Sequence, residues 1–368
     1  MSDSKPKVSV LIPTLNAASV LELCLKSISI QNYPKEKIEI IVADGGSKDK
    51  TLDIAFKYGA KVVENKLKTG EAGKMAALRA ATGDFVVLID SDNILPDTNW
   101  MRDMIDPLIK EPEAVGSEPW EYTWRAQDGF IARYCALIGM NDPFVHFLGD
   151  YDRMNLLTGR WTEVPHEEVD KGGYLVVKFD KRGLPTIGAN GTVFRTGFLK
   201  EAAKGDYLFD IDIVAKSLKK NGAVTFIKVK NGIIHTFCES DIKKFARKQR
   251  RRISDLLYSK FVAKNRDFEW EAKDELGTGK AVITEKVQGV ISLFVSAVMN
   301  KFGMIKFLLS CLTVFPLLYE AVKGYTKKRD PAWFFHPLAC EITLWMYALG
   351  TIAGLFKKAE ASRKGWKQ

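Results

Sequence analysis

The chain has 368 residues, 46% of them hydrophobic and 27% charged, with a formal net charge of +10. That balance excludes both a disordered chain and a wholly membrane-embedded one, and the length leaves room for one catalytic domain plus an appendage. Five scattered cysteines (Cys24, Cys135, Cys238, Cys311 and Cys340) form no CxxC pair, which speaks against a disulfide framework or a zinc site and for a reducing compartment.

In chain order, Met-Ser-Asp-Ser-Lys-Pro-Lys runs into the apolar stretch Val8 to Ile12, too short for a signal-peptide core. From Val8 to Asn93 short β-rich runs alternate with helical patterns. Strands are predicted at Val8 to Ile12, Ile38 to Ala43, Lys61 to Val63 and Phe85 to Ile89, with helices between them. These strands are apolar almost throughout, as central strands covered on both faces are, which predicts a parallel, doubly wound α/β half. Sheets of this kind bind ligands beyond the carboxyl ends of their strands. Those ends carry Pro13-Thr14-Leu15-Asn16, Asp44-Gly45-Gly46-Ser47 and Asp90-Ser91-Asp92-Asn93. The stretch from Pro119 to Lys181 is rich in aromatics without a period and reads as an insertion shaping the acceptor side. Regular pattern returns at Leu184.

Ile242 to Arg252 holds seven basic residues and no acidic one. Such a block faces an anion: nucleic acid, lipid headgroups or a substrate diphosphate. Only Phe245 is available there for base stacking, so nucleic acid is set aside. Beyond Asp267, residues Val287, Val290, Ile291, Phe294, Val295 and Val298 keep one helix face, opposite Gln288, Ser292 and Ser296, which suits a helix in the membrane interface. Two apolar stretches follow, Gly303 to Val322 and Ala332 to Phe356, each long enough for a bilayer crossing of about 20 residues. Two buried helices of a soluble bundle are the alternative. Trp333, Trp345, Tyr325 and Lys357-Lys358 resemble interfacial anchors, while the basic loop from Lys323 to Arg329 runs against the positive-inside tendency and leaves a shallow hairpin open. The expected division is a catalytic domain over 1–266, an interfacial segment over 267–302, and a membrane hairpin with a basic tail over 303–368.

Asp90-Ser91-Asp92 follows an apolar strand, so two carboxylates one residue apart stand at the sheet's carboxyl edge. A hard cation such as Mg²⁺ or Mn²⁺ takes one or two protein carboxylates and completes its shell with diphosphate oxygens. Asp44 is placed to accept hydrogen bonds from a base or ribose, with Gly45 and Gly46 letting the backbone come close; an Asp-Gly turn is the other reading. Lys74, near the start of a helix, is within reach of a phosphate.

Pro-Thr-Leu-Asn after the first strand, Ala-Asp-Gly-Gly-Ser-Lys-Asp-Lys-Thr after the second, Gly73-Lys74, Ala81-Thr82-Gly83-Asp84 and Asp90-Ser91-Asp92 together resemble the family 2 glycosyltransferases over residues 8–93. The resemblance implies a GT-A fold, an α/β domain with a Rossmann-like mixed central sheet, and a nucleotide diphosphate sugar, GDP- or UDP-linked, used with inversion. It assigns Pro13, Thr14, Asn16, Asp44, Gly46, Lys74, Asp90 and Ser91 to the nucleotide sugar. Gly188-Ala189-Asn190-Gly191 is similar to the family's acceptor loop. Phe209-Asp210-Ile211-Asp212 is similar to its Glu-Asp-x-Asp segment, with Phe209 replacing the glutamate and Asp210 matching the catalytic base. His235 falls where the family places a metal- or phosphate-contacting histidine, joining Asp90 and Asp92 as metal ligands. Gln249-Arg250-Arg251-Arg252-Ile253 resembles the Gln-x-x-Arg-Trp motif of membrane synthases, with Ile253 for tryptophan. There Gln249 and Arg252 would meet the leaving nucleotide diphosphate, Arg252 with a catalytic role.

These readings lead to a membrane-bound transferase that moves one hexose, with a lean towards mannose from GDP-mannose, to a polyprenyl- or dolichyl-linked acceptor on the cytosolic face, as in lipid-linked glycan (N-glycan type) assembly. A processive polysaccharide synthase, a nucleotidyltransferase and a membrane-tethered nucleotide-binding protein without catalysis are the competing functions. Asp210 and Asp212 are expected to open a helix rather than lie in a strand.

Overall fold

The computed structural model describes residues 5–203, 205–261 and 301–356. The interfacial segment read from Val287 to Val298 and the basic tail from Lys357 onward lie outside the described residues.

The four predicted strands are present, each a residue or so adjusted: β1 (Val8–Thr14), β2 (Ile38–Asp44), β3 (Lys61–Glu64) and β4 (Phe85–Leu88). They pair in parallel in the order β3-β2-β1-β4. Alternation along β1 explains the two layers. Val8, Val10 and Ile12 face α1 (Ala18–Ser29) and α4 (Trp100–Lys110), burying Leu21, Leu25 and Trp100. Leu11 faces the opposite side, with Met75 and Leu78 of α3 (Gly70–Ala80) and Val214 of α8 (Asp210–Asn221). The short helices α2 (Thr51–Lys57) and α7 (Thr196–Ala202) complete the two layers.

Past β4 the sheet becomes mixed. β9 (Thr192–Arg195) runs antiparallel to both β4 and β6 (Ala114–Tyr122), and β6 runs parallel to β10 (Ala223–His235). β10 pairs antiparallel with β8 (Tyr174–Asp180), which pairs with β7 (Glu167–Asp170), and the two-residue β5 (Asn93–Ile94) pairs with the end of β10. The stretch from Pro119 to Lys181 is therefore not an insertion: it holds the end of β6, all of β7 and β8, and the helices α5 (Phe130–Ile138) and α6 (Pro143–Leu148). Periodicity failed there because Pro119 sits inside a central strand. A proline cannot donate to the ladder, and the β6–β10 register shifts just after its partner, between Val229 and Gly232.

After β10, the basic helix α9 (Ile242–Phe261) is followed by α10 (Lys301–Thr313), α11 (Phe315–Lys327), a 3₁₀ turn at Pro331–Phe335 and α12 (His336–Phe356). The expected spanning pair is corrected here. Among the described residues no single helix is long and apolar enough to cross a membrane; α10 and α11 reach the required length and composition only as a pair bent by 95°. The break falls at Val314, whose φ of 62° puts a β-branched residue in the left-handed region. The second stretch does not stand apart either. Trp333, Phe335 and Ala339 share a core with Tyr134 and Ile138 of α5, Tyr151 and Phe245 of α9. Gly350 of α12 meets α9 so closely that a Cβ there would lie 2.2 Å from Ile253 Cγ2.

Candidate active site

β1, β2 and β4 end side by side, so the loops that leave them share one edge. Asp44 turns the chain after β2. Its Oδ2 accepts the backbone N–H groups of Gly46 and Ser47, each at 2.8 Å, and its Oδ1 accepts the hydroxyls of Thr14 at 3.0 Å and Ser47 at 2.5 Å. All four acceptor positions of the carboxylate are thereby filled. Asp44 builds the loop, and in this arrangement it has no lone pair left for a base or ribose. Asn16 ties the first loop to the second: its backbone N–H reaches Ser47 Oγ and its Oδ1 accepts Lys48 N–H, both at 2.8 Å.

α3 lies against this edge because residue 73 is glycine; a Cβ there would fall 2.7 Å from Pro13 Cβ and 2.9 Å from Asn65 Nδ2. That close approach buries Lys74, whose ammonium is 3.8 Å from Asp210 Oδ2. Burial pushes Lys74 down, but the charges of Asp210, then Asp90 and Glu71, hold it above the ordinary lysine value. Asp210 is the first residue of α8, as the sequence suggested, and is only 9% exposed. Burial raises its carboxyl above the usual range, with Lys74 opposing, and its Oδ2 accepts no hydrogen bond among the described residues. A buried carboxylate with one oxygen unengaged and a fixed cation beside it has the character of a general base. Asp212, two residues on in the same helix start, is also buried.

The Asp90-Ser91-Asp92 loop is pinned by Asn93, whose Oδ1 accepts Asp90 N–H at 2.9 Å. Asp92 Oδ1 is 3.3 Å from His235 Nε2 and its Oδ2 3.3 Å from Lys248 Nζ. Burial alone would raise Asp92, but Lys248 and then His235 hold its carboxyl well below the usual range. Lys248 also lies over the Phe237 ring, 4.1 Å from its centroid. Nothing in the motif had marked Lys248; its signal was only the density of charge in the block from Ile242 to Arg252.

Among the described residues no group of three or more His, Cys, Asp or Glu gathers as a ready-made metal cage. Whether Asp90, Asp92 and His235 suit a cation turns on Asn141. Its Nδ2 is 3.2 Å from both His235 Nδ1 and Tyr122 Oη, which among the described residues leaves Asn141 Oδ1 buried without a partner and the Tyr122 proton without an acceptor, since Asn190 Nδ2 donates to the same Oη at 3.1 Å. Turning the amide over lets Oδ1 accept from both Tyr122 and His235 Nδ1–H. In that tautomer His235 Nε2 would present a lone pair in place of the N–H it offers Asp92 here, the form a metal ligand requires and one that a cation beside Asp92 would favour. Asp92 and His235 are donor types that suit Mg²⁺ or Mn²⁺, and Asp90 stands two residues away on the same loop, but the three are not gathered as one ligand set.

The basic helix is placed differently from expectation. Gln249 is fully buried, its Nε2 donating to the Asn141 carbonyl at 2.9 Å and its Oε1 accepting from Arg252 Nη1 at 2.9 Å, so it clamps α9 to the 141–142 turn. Arg252 Nη1 donates to the same carbonyl at 2.9 Å and lies 3.7 Å from Asp142 Oδ2. Ile253 stands where the motif has tryptophan, and Gly350 leaves it no room for a larger ring.

The acceptor-loop residues Gly188, Ala189, Asn190 and Gly191 rest on a buried ionic network that sequence reading missed. Glu118 Oε1 accepts Gly188 N–H and the Thr192 hydroxyl, each at 3.2 Å; Glu118 Oε2 accepts from Lys228 Nζ at 2.9 Å; and Arg153 Nη1 is 3.1 Å from Glu118 Oε1 and 2.6 Å from Asp152 Oδ2. Arg153 Nη2 donates to the Asn190 carbonyl at 3.1 Å, and Asn190 Oδ1 accepts from Asn93 Nδ2 at 3.1 Å. Asn190 thus joins the acceptor loop to the carboxylate loop. Burial would raise Glu118, but Lys228 and Arg153 hold it low.

Residues 9–126 match the model of a known family, "Glycosyl transferase family 2". Glycosyltransferase AglE of Haloferax volcanii is 30% identical over 108 residues, 28% of this chain and 35% of that protein. A Methanococcus voltae enzyme, dolichyl N-acetyl-α-D-glucosaminyl phosphate 3-β-D-2,3-diacetamido-2,3-dideoxy-β-D-glucuronosyltransferase, is 33% identical over 120 residues, 31% of this chain and 37% of that protein. The matched stretches thus span little more than a third of these relatives' lengths. Among solved structures, the mannosyltransferase PcManGT of Pyrobaculum calidifontis, in complex with GDP-Man and Mn²⁺, aligns over 94% of this chain and 88% of its own at 17% identity and a TM-score of 0.49.

Proposed function

Taking residues 9–126 as a family 2 glycosyltransferase segment, we propose that this chain transfers a single hexose, with inversion, from a nucleotide diphosphate sugar to a hydroxyl of a lipid-linked acceptor at the cytosolic face of a membrane. The observation that carries the reading is Asp210, buried with an oxygen that accepts no hydrogen bond among the described residues and faces Lys74, whose ammonium also feels Asp90 of the carboxylate loop. A base and a candidate cation site on one sheet edge are what displacement of a diphosphate by a hydroxyl needs.

In this mechanism Asp210 Oδ2 takes the proton of the acceptor hydroxyl as its oxygen attacks the anomeric carbon. Lys74 keeps Asp210 ionised until then. Asp90 and Asp92, with His235, would hold Mg²⁺ or Mn²⁺, which supplies positive charge to the departing diphosphate. Lys248 and Arg252 add fixed charge on the same side, while Pro13, Thr14, Asn16, Gly46 and Ser91 take the nucleotide along the strand-end loops that Asp44 shapes. Asn190 sets the acceptor loop relative to the carboxylates. The name of the Methanococcus voltae relative supports a lipid-linked acceptor class.

The test is a product assay. GDP-mannose, UDP-glucose and UDP-N-acetylglucosamine are offered in turn with extracted polyprenyl-linked lipids, GDP-mannose first. Release of nucleoside diphosphate with label moving into the lipid fraction supports the proposal. Release of pyrophosphate would overturn it in favour of a nucleotidyltransferase, and binding without turnover would leave a nucleotide-binding protein.

A further inference from the structure

α10 and α11 turn a broad apolar surface outward. Phe302 is 87% exposed and Phe315 79%, with Leu309, Leu312, Tyr319 and Val322 exposed between and beyond them. The opposite faces are spent on packing, Phe307 and Cys311 against Phe147, and Leu317 and Ala321 beneath. A soluble monomer rarely leaves so large a contiguous apolar surface to water. Each arm has 13 residues, about 20 Å of helix, against about 30 Å of hydrocarbon. The arms are too short to cross and are amphipathic enough to lie in an interface.

The inner side of the bend holds a cavity of about 410 Å³, lined by Lys306 from α10, Lys323 from α11, and Arg160, Thr158 and Glu163 from the loop that follows α6. Glu320 also lines it, but its two oxygens are engaged by His146 Nε2 at 3.4 Å and His336 Nε2 at 3.0 Å. Three cations thus face Glu163 and an already partnered Glu320. Lys306 and Lys323 each belong to the same turn as exposed apolar residues, Ile305 and Val322, so the charge and the greasy surface are contiguous.

We infer that this cavity is a phosphate site for the headgroup of an anionic phospholipid, and that the bent pair lies in the membrane interface with the lipid's chains along its outer face. The cations match an anionic headgroup and the outer face matches its hydrocarbon; free inorganic phosphate would use only the first. The inference rests on the membrane-face reading of the acceptor and names how that face is held, by a monotopic attachment in place of a span.

The test uses the full chain in vesicle flotation, with phosphatidylcholine alone and with phosphatidylglycerol added. The expected result is flotation with the anionic vesicles, at least tenfold less for Leu312→Asp/Phe315→Asp, and loss of the anionic preference in Lys306→Glu/Lys323→Glu. Leu312→Gln/Phe315→Gln repeats the first arm more gently, and unchanged circular dichroism and Tm guard both against misfolding. Flotation of the charge variant that is indistinguishable from wild type, or no flotation at all, overturns the inference. So does a dimer that dissociates in the aspartate variant while vesicles are ignored, which would make a second copy the occupant; an apolar face covered by residues 262–300 would likewise show as no flotation. Nucleoside diphosphate release is measured on the same proteins: flotation lost with transfer intact sinks only this inference, and transfer absent with flotation intact sinks only the transferase reading.

Discussion

The two ends of the sheet carry their polar residues in different ways. At the end formed by β1, β2 and β4, each polar group stands within a few residues of a strand terminus, and the loops are closed by short-range bonds such as Ser47 N–H to Asp44 and Asp90 N–H to Asn93. At the end formed by β6, β9 and β10, the groups come from strands and loops far apart in sequence: Lys228 reaches back 110 residues to Glu118, and Arg153 reaches 37 residues forward to Asn190. The first end is a set of exposed loops on a rigid frame, suited to grasping a ligand. The second is a buried ionic core that fixes one loop, its charges almost wholly withdrawn from solvent. One end should therefore answer to mutation in turnover and the other in stability.

The largest expected effect belongs to the first end. Asp210→Asn should lower kcat by about 10² to 10⁴ with nucleotide binding intact, and EDTA should abolish turnover. Near-normal kcat in Asp210→Asn would remove the base and favour an acceptor that is already anionic. The counterpart at the second end is Glu118→Gln. It leaves Lys228 buried without its carboxylate and Arg153 with Asp152 alone, and should cost about 3–5 kcal/mol in urea or thermal unfolding. A loss of turnover without loss of stability there would erase the distinction between the two ends.

Between them stands the amide of Asn141. Tyr122→Phe removes the proton that favours the turned-over amide, so it should raise the Mn²⁺ concentration needed for half-activity by about 10- to 100-fold while kcat at saturating metal holds. An unchanged metal requirement would separate His235 from the cation. A smaller effect is expected at the α9–α12 crossing. Ile253→Trp completes the motif of the membrane synthases, yet Gly350 is already in contact with Ile253, so overpacking should cost about 1–3 kcal/mol.

The same contrast explains what the sequence made legible. β1 to β4 were readable because covered parallel strands are apolar throughout and end in polar turns, which brought Asp44, Asp90, Asp92 and Lys74 to one edge without further information. The role of Asp44 was not readable, since a carboxylate that organises a turn and one that binds a ribose present the same Asp-Gly-Gly. Glu118, Arg153 and Lys228 were hidden because a lone charge in an apolar run gives no sign of its distant partner. Gln249 matched a motif but is buried between α9 and the 141–142 turn, and the apolar stretch of α10 and α11 had the composition of a span without the unbroken length. For Glu118, Arg153, Lys228 and Gln249 the missing fact was a long-range contact.

The smallest expected effect concerns Asp150, half-buried between α6 and the acceptor loop, where its backbone carbonyl accepts Thr186 N–H at 2.6 Å. Its Oδ1 has no partner among the described residues, and burial, with Asp142 adding to it, pushes its carboxyl up to about 7. In the unfolded chain an aspartate titrates near 3.9. Between those values the unfolded state has already shed its proton while the folded state retains it, so stability falls as pH rises from about 4 to about 7 and is flat beyond. Asp150→Asn removes that titration. The variant should match wild type near pH 4 and exceed it at pH 8 by about 1–2 kcal/mol, a discount on the full shift because the side chain keeps some contact with water. Denaturant unfolding of both proteins at the two pH values measures the difference directly. An equal gap at pH 4 and pH 8 would mean that Asp150 is ionised throughout and that the acceptor side holds a charge this network does not account for.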